Sequence, residues 1–139
     1  MQLGARVHAL SRFKSLTYDA QRVSQALQAA FEKSDGRYVC FVATDAADKV
    51  AGGLLAVLER HIFSDQISAS IMHFDVLPEK RAAGYAVRLI KAFEAWCKNR
   101  NTVEINFGIN SVDDPKELDR LGRFAKRLGY RKIGESYVR

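Results

Sequence analysis

Apolar residues recur at two periods along this chain, and the switches between them predict its elements. Between residues 5 and 13, Val7, Leu10 and Phe13 stand three apart, which predicts a short helix broken by Leu16 and Thr17. A second helix carries Val23, Leu27, Ala30 and Phe31 on one face, with Thr17 or Asp19 as candidate cap and Asp35-Gly36 as its stop. Helical spacing begins almost at Met1, so a strand ahead of these helices is missing or very short. Residues 37–44 are β-branched and aromatic and predict a buried strand, and 45–48 a turn. Residues 50–62 predict a longer strand, where Gly52-Gly53 allows a bulge or a close backbone approach. After a turn at Ser64-Asp65, residues 66–76 predict a third strand, completing an antiparallel meander.

The chain then changes character within a few residues. Pro78 stops the strand because it has no N–H to give a ladder. Small residues follow Arg81, and apolar residues at helical spacing (Ala86, Leu89, Ile90, Phe93, Trp96, Cys97) run to about Arg100. Phe93 and Trp96 read as core. A helix N-terminus offers unpaired N–H groups and partial positive charge, small residues let a ligand approach backbone, and Arg81 adds a cation. Together these suit phosphate. Residues 102–107 alternate as a strand, and Gly108 to Asp114 form a polar loop. Asp113 or Asp114 caps a helix with Pro115 in its first turn and Leu118, Leu121, Phe124, Ala125 and Leu128 on its buried side. Gly129-Tyr130 ends it, and 133–138 predict a final strand.

Composition narrows the class. The 139 residues are 47% hydrophobic with only two prolines, enough for a real core and unlike a disordered tail. No repeat or linker appears, so residues 1–139 read as one domain. No apolar run reaches membrane-spanning length and no signal-peptide pattern opens the chain, so a cytoplasmic protein with no membrane partner is expected. Cys40 and Cys97 lie in apolar sequence and read as reduced core residues; they and His8, His61 and His73 give no metal-site spacing, so no metal is expected. The net charge of +6 is uneven: from residue 79 onward fourteen Lys and Arg stand against eight Asp and Glu, while the first 78 residues hold eight of each. This fits attraction of a polyanion as well as it fits solvated helix faces. Charge alone admits nucleic acid, but no aromatic–basic platform or binding motif supports it.

The stretch from Phe74 to Ile90 resembles motif A of the GNAT acetyltransferase superfamily, with Val76, Pro78, Arg81, Gly84, Tyr85 and Ala86 at matching positions; Ala82 departs from the usual glycine. The segment from Arg127 to Gly134 resembles motif B, at the separation that the family uses. The resemblance spans roughly residue 39 to the C-terminus, and the compact chain resembles small prokaryotic or phage-encoded members. It implies an α/β (α+β) fold: a mixed, mostly antiparallel sheet flanked by helices, with splayed strands at the coenzyme site. It also implies acetyl-CoA as co-substrate and transfer of acetyl to a primary amine of a small molecule or protein. Arg81 and the turn Ala82, Ala83, Gly84, Tyr85 and Ala86 would hold the pyrophosphate. Phe74, Asp75 and Val76 would bind the pantetheine arm like an added strand, an N–H near Phe74 or Asp75 polarising the thioester. Asn110 and Ser111, in the loop after the splayed strand, would either hydrogen-bond the arm or the sulfur or cap their own loop.

The ionisable groups that the family commonly uses are missing. The usual base positions are Ser70 and Met72, and the usual acid position is Ala125. Simple alternation puts His73 on the opposite face from Ser70 and Met72. Glu59 and His61, near the end of the preceding strand, are weak candidates for drawing a proton through water, and Tyr137 and Tyr85 are candidate acids, Tyr85 also reading as packing. A second reading is therefore a catalytically impaired module that binds acyl-CoA or a protein. Homodimers are common in the family, and a short or missing first strand would leave an edge for a partner to cover. The acceptor cannot be read from these residues.

Overall fold

Two helices precede the first strand in the structure, a computed structural model that describes residues 2–33, 35–109 and 111–139. α1 (Gln2–Leu10) begins earlier than its spacing predicts and stops at Ser11. There the serine hydroxyl donates to the His8 carbonyl at 2.8 Å and accepts from the Phe13 N–H at 3.1 Å, drawing residues 11–13 into a turn. α2 (Ala20–Glu32) is capped by Asp19, whose carboxylate accepts from the Arg22 N–H at 2.9 Å.

Four strands follow: β1 (Tyr38–Thr44), β2 (Val50–Arg60), β3 (Ile67–Val76) and β4 (Glu104–Phe107). They form one sheet in the order β1-β2-β3-β4, antiparallel except for the parallel β3/β4 pair. α3 (Tyr85–Lys98) crosses between β3 and β4 and packs on the sheet. It buries Leu89, Ile90, Phe93 and Cys97 against Leu54 and Ala56 of β2 and Ala69 and Ile71 of β3. Ile90 and Phe93 lose all exposure, which stabilises the fold by about 1.5–3 kcal/mol for each side chain. Trp96 packs at the margin of this cluster, its ring 6.1 Å from that of Phe93. α4 (Pro115–Arg127) is capped by Asp114 and adds Phe124 beside the same core. Among the described residues no helix is long and apolar enough to cross a membrane.

Two expectations are corrected. Residues 130–139 form no strand. Ile133, Tyr137 and Val138 are exposed, and Lys132 and Tyr137 both turn to Glu135 at 2.6 Å. Alternation makes a strand only where a neighbour supplies a ladder and an apolar face to cover, and this tail has neither. Cys97 is buried as expected, but Cys40 is exposed. It lies on the side of β1 away from α3, while Val39, Phe41 and Ala43 take the core side.

Candidate functional site

The site begins where two strands part. β3 pairs with β4 only from Ser68 opposite Glu104 to Ile71 opposite Phe107. It continues to Val76, still paired on its other edge to β2 as far as Gly52. Among the described residues, therefore, no strand pairs with 72–76 on the β4 side. A bulge falls at the same point on the β2 side: Ala56 pairs with Ile71 and Leu55 with His73, which leaves Met72 without an opposite residue. A bulge bends its strand and increases its twist. Phe74 fills the parting, its ring 5.4 Å from Phe107 of β4 and 6.1 Å from Phe124 of α4.

The bulge also resets the alternation. Val57 faces Ser70 and Leu55 faces His73, so Ser70 and His73 share a side of the sheet. Strict period-2 reading had separated them. On that side Asp75 stands opposite Gly53, and Leu3 of α1 lies within 3.4 Å of where a Gly53 side chain would begin.

Beyond β3 the Leu77 N–H donates to the Ala51 carbonyl at 2.9 Å, and residues Pro78–Ala83 form a 3-10 turn. Gly84 follows at φ +74, a left-handed conformation that glycine adopts without strain, and opens α3 with no side-chain cap on its first N–H groups. Three consecutive side chains tie this turn to three different elements. Glu79 accepts two hydrogen bonds from Arg6 of α1 at 2.6 and 2.9 Å. Lys80 donates to Asp45, in the turn between β1 and β2, at 2.8 Å. Arg81 lies 3.4 Å from Glu117 of α4.

Between the free edge, the turn and α4 lies a groove of about 500 Å³. Phe74, Asp75 and Val76 line it from β3, Arg81, Ala82 and Gly84 from the turn, and Ala86 and Val87 from α3. Ser111 and Val112 close one side, and α4 contributes Glu117, Arg120, Leu121, Phe124, Arg127 and Leu128. Three arginines thus face two carboxylates. Glu117 is held by Arg120 through Nε at 3.2 Å and Nη2 at 2.8 Å, and that hydrogen bond, helped by Arg81, keeps its carboxyl below the usual carboxylate range. Asp75 is in no ion pair or side-chain hydrogen bond among the described residues. Burial pushes its carboxyl up to about 6, against the pull of Arg81.

The expected site residues separate. Ala83 and Tyr85 do not line this groove; Tyr85 lines a second hollow of about 480 Å³ between β1 and α3, with the Arg88 guanidinium 4.6 Å from its ring centre. Asn110 lies outside the described residues. Glu59 is exposed on β2, where it accepts a hydrogen bond from Ser70. His61 stacks on Phe63 in the exposed turn that follows, 5.2 Å between rings. Tyr137 is 89% exposed in the tail. None of these three lines the groove. The buried Ala125 leaves α4 without a hydroxyl at that position. What sequence reasoning missed is the side chain of Asp75, noticed only for its backbone. The available signal was an acid between two apolar residues just ahead of the turn.

Chemically, a row of free peptide groups, leading to an uncapped helix start and three guanidinium groups, suits an extended ligand with an anionic end. The residues present fit a pantetheine arm and pyrophosphate in that respect.

The sequence model of the Acetyltransferase (GNAT) family matches residues 7–130. No curated protein matches the chain. Among solved structures, it is similar to a transcriptional regulator from Bacillus halodurans C-125, with a TM-score of 0.72 at 19% identity over 99% of this chain and 92% of that one. It is similar to the aminoglycoside acetyltransferase meta-AAC0020 from an uncultured soil metagenomic sample, solved with sisomicin, at TM-score 0.68 and 22% identity over 95% and 82% of the two chains. It is also similar to AAC(6')-Iy, solved with the bisubstrate analog CoA-S-monomethyl-acetylneamine, at TM-score 0.67 and 15% identity over 89% and 81%. At these identities the likeness is one of fold.

Proposed function

Because the chain belongs to the GNAT acetyltransferase family, we propose that it moves an acetyl group from acetyl-CoA to a primary amine. The observation that carries this reading is the parting of β3 from β4 after Ile71 and Phe107, directly upstream of the turn and α3. When bound there, acetyl-CoA supplies an activated acyl group as a thioester. The chain's own residues bind and orient it. The free edge at residues 72–76 hydrogen-bonds the pantetheine arm as a strand would, and the N–H at Phe74, which the β2 ladder does not take, faces the thioester oxygen where negative charge develops. Arg81 and the first amides of α3 hold the pyrophosphate, and the leftover positive charge of Arg120 and Arg127 favours anions along the same wall.

The acceptor reaches the carbonyl from the side of the sheet that carries Ser70, His73 and Asp75. A small-molecule amine is the first class to test, supported by the fold shared with an aminoglycoside acetyltransferase. Positioning and backbone charge stabilisation carry part of the catalysis, and any proton acceptor stands elsewhere than at the common acid and base positions, which hold Ser70, Met72 and Ala125.

The test is a thermal shift with acetyl-CoA and with coenzyme A, on wild type and Arg81→Ala. Ligand that binds only the native state raises the melting temperature. A rise in wild type that shrinks in Arg81→Ala supports the reading, and no shift at millimolar ligand overturns it.

A further inference from the structure

We infer that the Asp75 carboxylate is the proton acceptor for the incoming amine, an assignment that rests on the transfer reaction proposed above. The argument starts from position. Asp75 lies on the stretch of β3 whose β4-side edge is free, past the bulge at Met72, and it lines the groove. Its cross-strand neighbour is Gly53, which has no side chain to crowd it. It shares the acceptor side of the sheet with Ser70 and His73, the first of which already donates its hydroxyl to Glu59.

Partnering separates Asp75 from the other acid in the groove. Glu117 is locked between Arg120 and Arg81 and is a weak base. Asp75 has no such partner within ion-pair distance among the described residues. The charged groups around it are Arg81 on the turn, Glu117, Arg120 and Arg127 on α4, and the exposed His73 on its own strand. On α1, which reaches this side through Leu3, Arg6 is engaged by Glu79 and His8 packs against Tyr18 with the two rings tilted. Burial raises the carboxyl to about 6 while Arg81 opposes, so at neutral pH the group is ionised yet a stronger base than a surface carboxylate.

The step balances simply. Asp75 takes one proton from the ammonium, leaving the neutral amine with its lone pair free. The nitrogen–carbon bond forms at the thioester carbonyl and the carbon–sulfur bond breaks. The second nitrogen proton goes to the departing thiolate, giving an acetamide and the coenzyme A thiol, and Asp75 releases the first proton to water.

A titration, two variants and a pH profile test the assignment. In the ligand-free protein, the Asp75 side-chain carbonyl, followed by carbon NMR, should titrate with a midpoint near 6; a midpoint at the ordinary carboxylate value overturns the assignment. Asp75→Asn should keep its thermal shift with coenzyme A while amine-dependent thiol release falls on the order of 100-fold. The probes are acetyl-CoA with sisomicin, spermidine and a lysine peptide. Asp75→Glu should restore part of the rate, and wild-type kcat/KM should fall tenfold per pH unit below the midpoint. Unchanged turnover in Asp75→Asn overturns the assignment but leaves the acetyltransferase reading intact. A wild type that binds acetyl-CoA and acetylates none of the probes overturns both, in favour of the impaired binding module. A wild type that does not bind acetyl-CoA overturns the reading itself.

Discussion

Arg81 and Glu117 lie 3.4 Å apart across the groove, joining the turn after β3 to the first turn of α4. The same carboxylate holds Arg120 in a two-pronged pair, so one acid occupies two of the three arginines that line the wall. An anionic ligand must compete with Glu117 for those guanidinium groups. Glu117→Gln should therefore tighten coenzyme A binding several-fold, measured by calorimetry at low salt, where screening is weakest. Weaker or unchanged binding would mean that the two arginines do not reach the ligand. Low pH should not mimic the substitution in the neutral range, because Arg120 holds the Glu117 carboxyl below its ordinary value.

Lys80, one residue earlier, makes a separate prediction about acid stability. Its ammonium donates to Asp45 at 2.8 Å, and the Ala47 and Lys49 N–H groups donate to the same carboxylate. The Lys80 bond first, then these backbone bonds, hold Asp45 at about 2. A carboxyl depressed by folding stabilises fully above its unfolded value and loses that contribution as pH falls through its folded value. Asp45→Asn should melt a few degrees below wild type at pH 7, and the gap should close between about pH 4 and pH 2. Equal melting temperatures at pH 7 would show that this pair fixes the turn without stabilising the fold.

The turn was legible because its signals are local. Proline, small residues and a switch of period lie within a dozen positions of each other, and each acts through its own backbone. The bulge at Met72 was not legible. It is set by how β3 registers on β2, and nothing in the local sequence marks the extra residue. Because that one residue reverses the alternation after it, His73 and Asp75 moved to the side of Ser70. The chemistry of Asp75 depends on burial by distant segments, which no spacing rule records. The tail failed in the opposite sense: the apolar positions 133, 137 and 138 gave a strand pattern for which the fold supplies no partner.

Gly52 and Gly53 looked equivalent in sequence, and the structure makes them different. A Cβ on Gly52 would stand 2.7 Å from the Asp75 carbonyl oxygen and 3.2 Å from the Val76 Cα. Both are backbone atoms, so β3 itself would have to move. A Cβ on Gly53 would meet only the end of Leu3 at 3.4 Å and the Phe41 carbonyl at 3.5 Å, ordinary contacts. Gly52→Ala should cost about 1–3 kcal/mol as an overpacked site, while Gly53→Ala should melt close to wild type. The Asp75 carbonyl faces β2, but it shares its peptide plane with the Val76 N–H, which faces the free edge of β3. Gly52→Ala should thus lose coenzyme A affinity beyond what its lower stability explains, read by calorimetry well below its melting temperature. If it binds coenzyme A as tightly as Gly53→Ala does, the backbone beside Asp75 is not part of the coenzyme site.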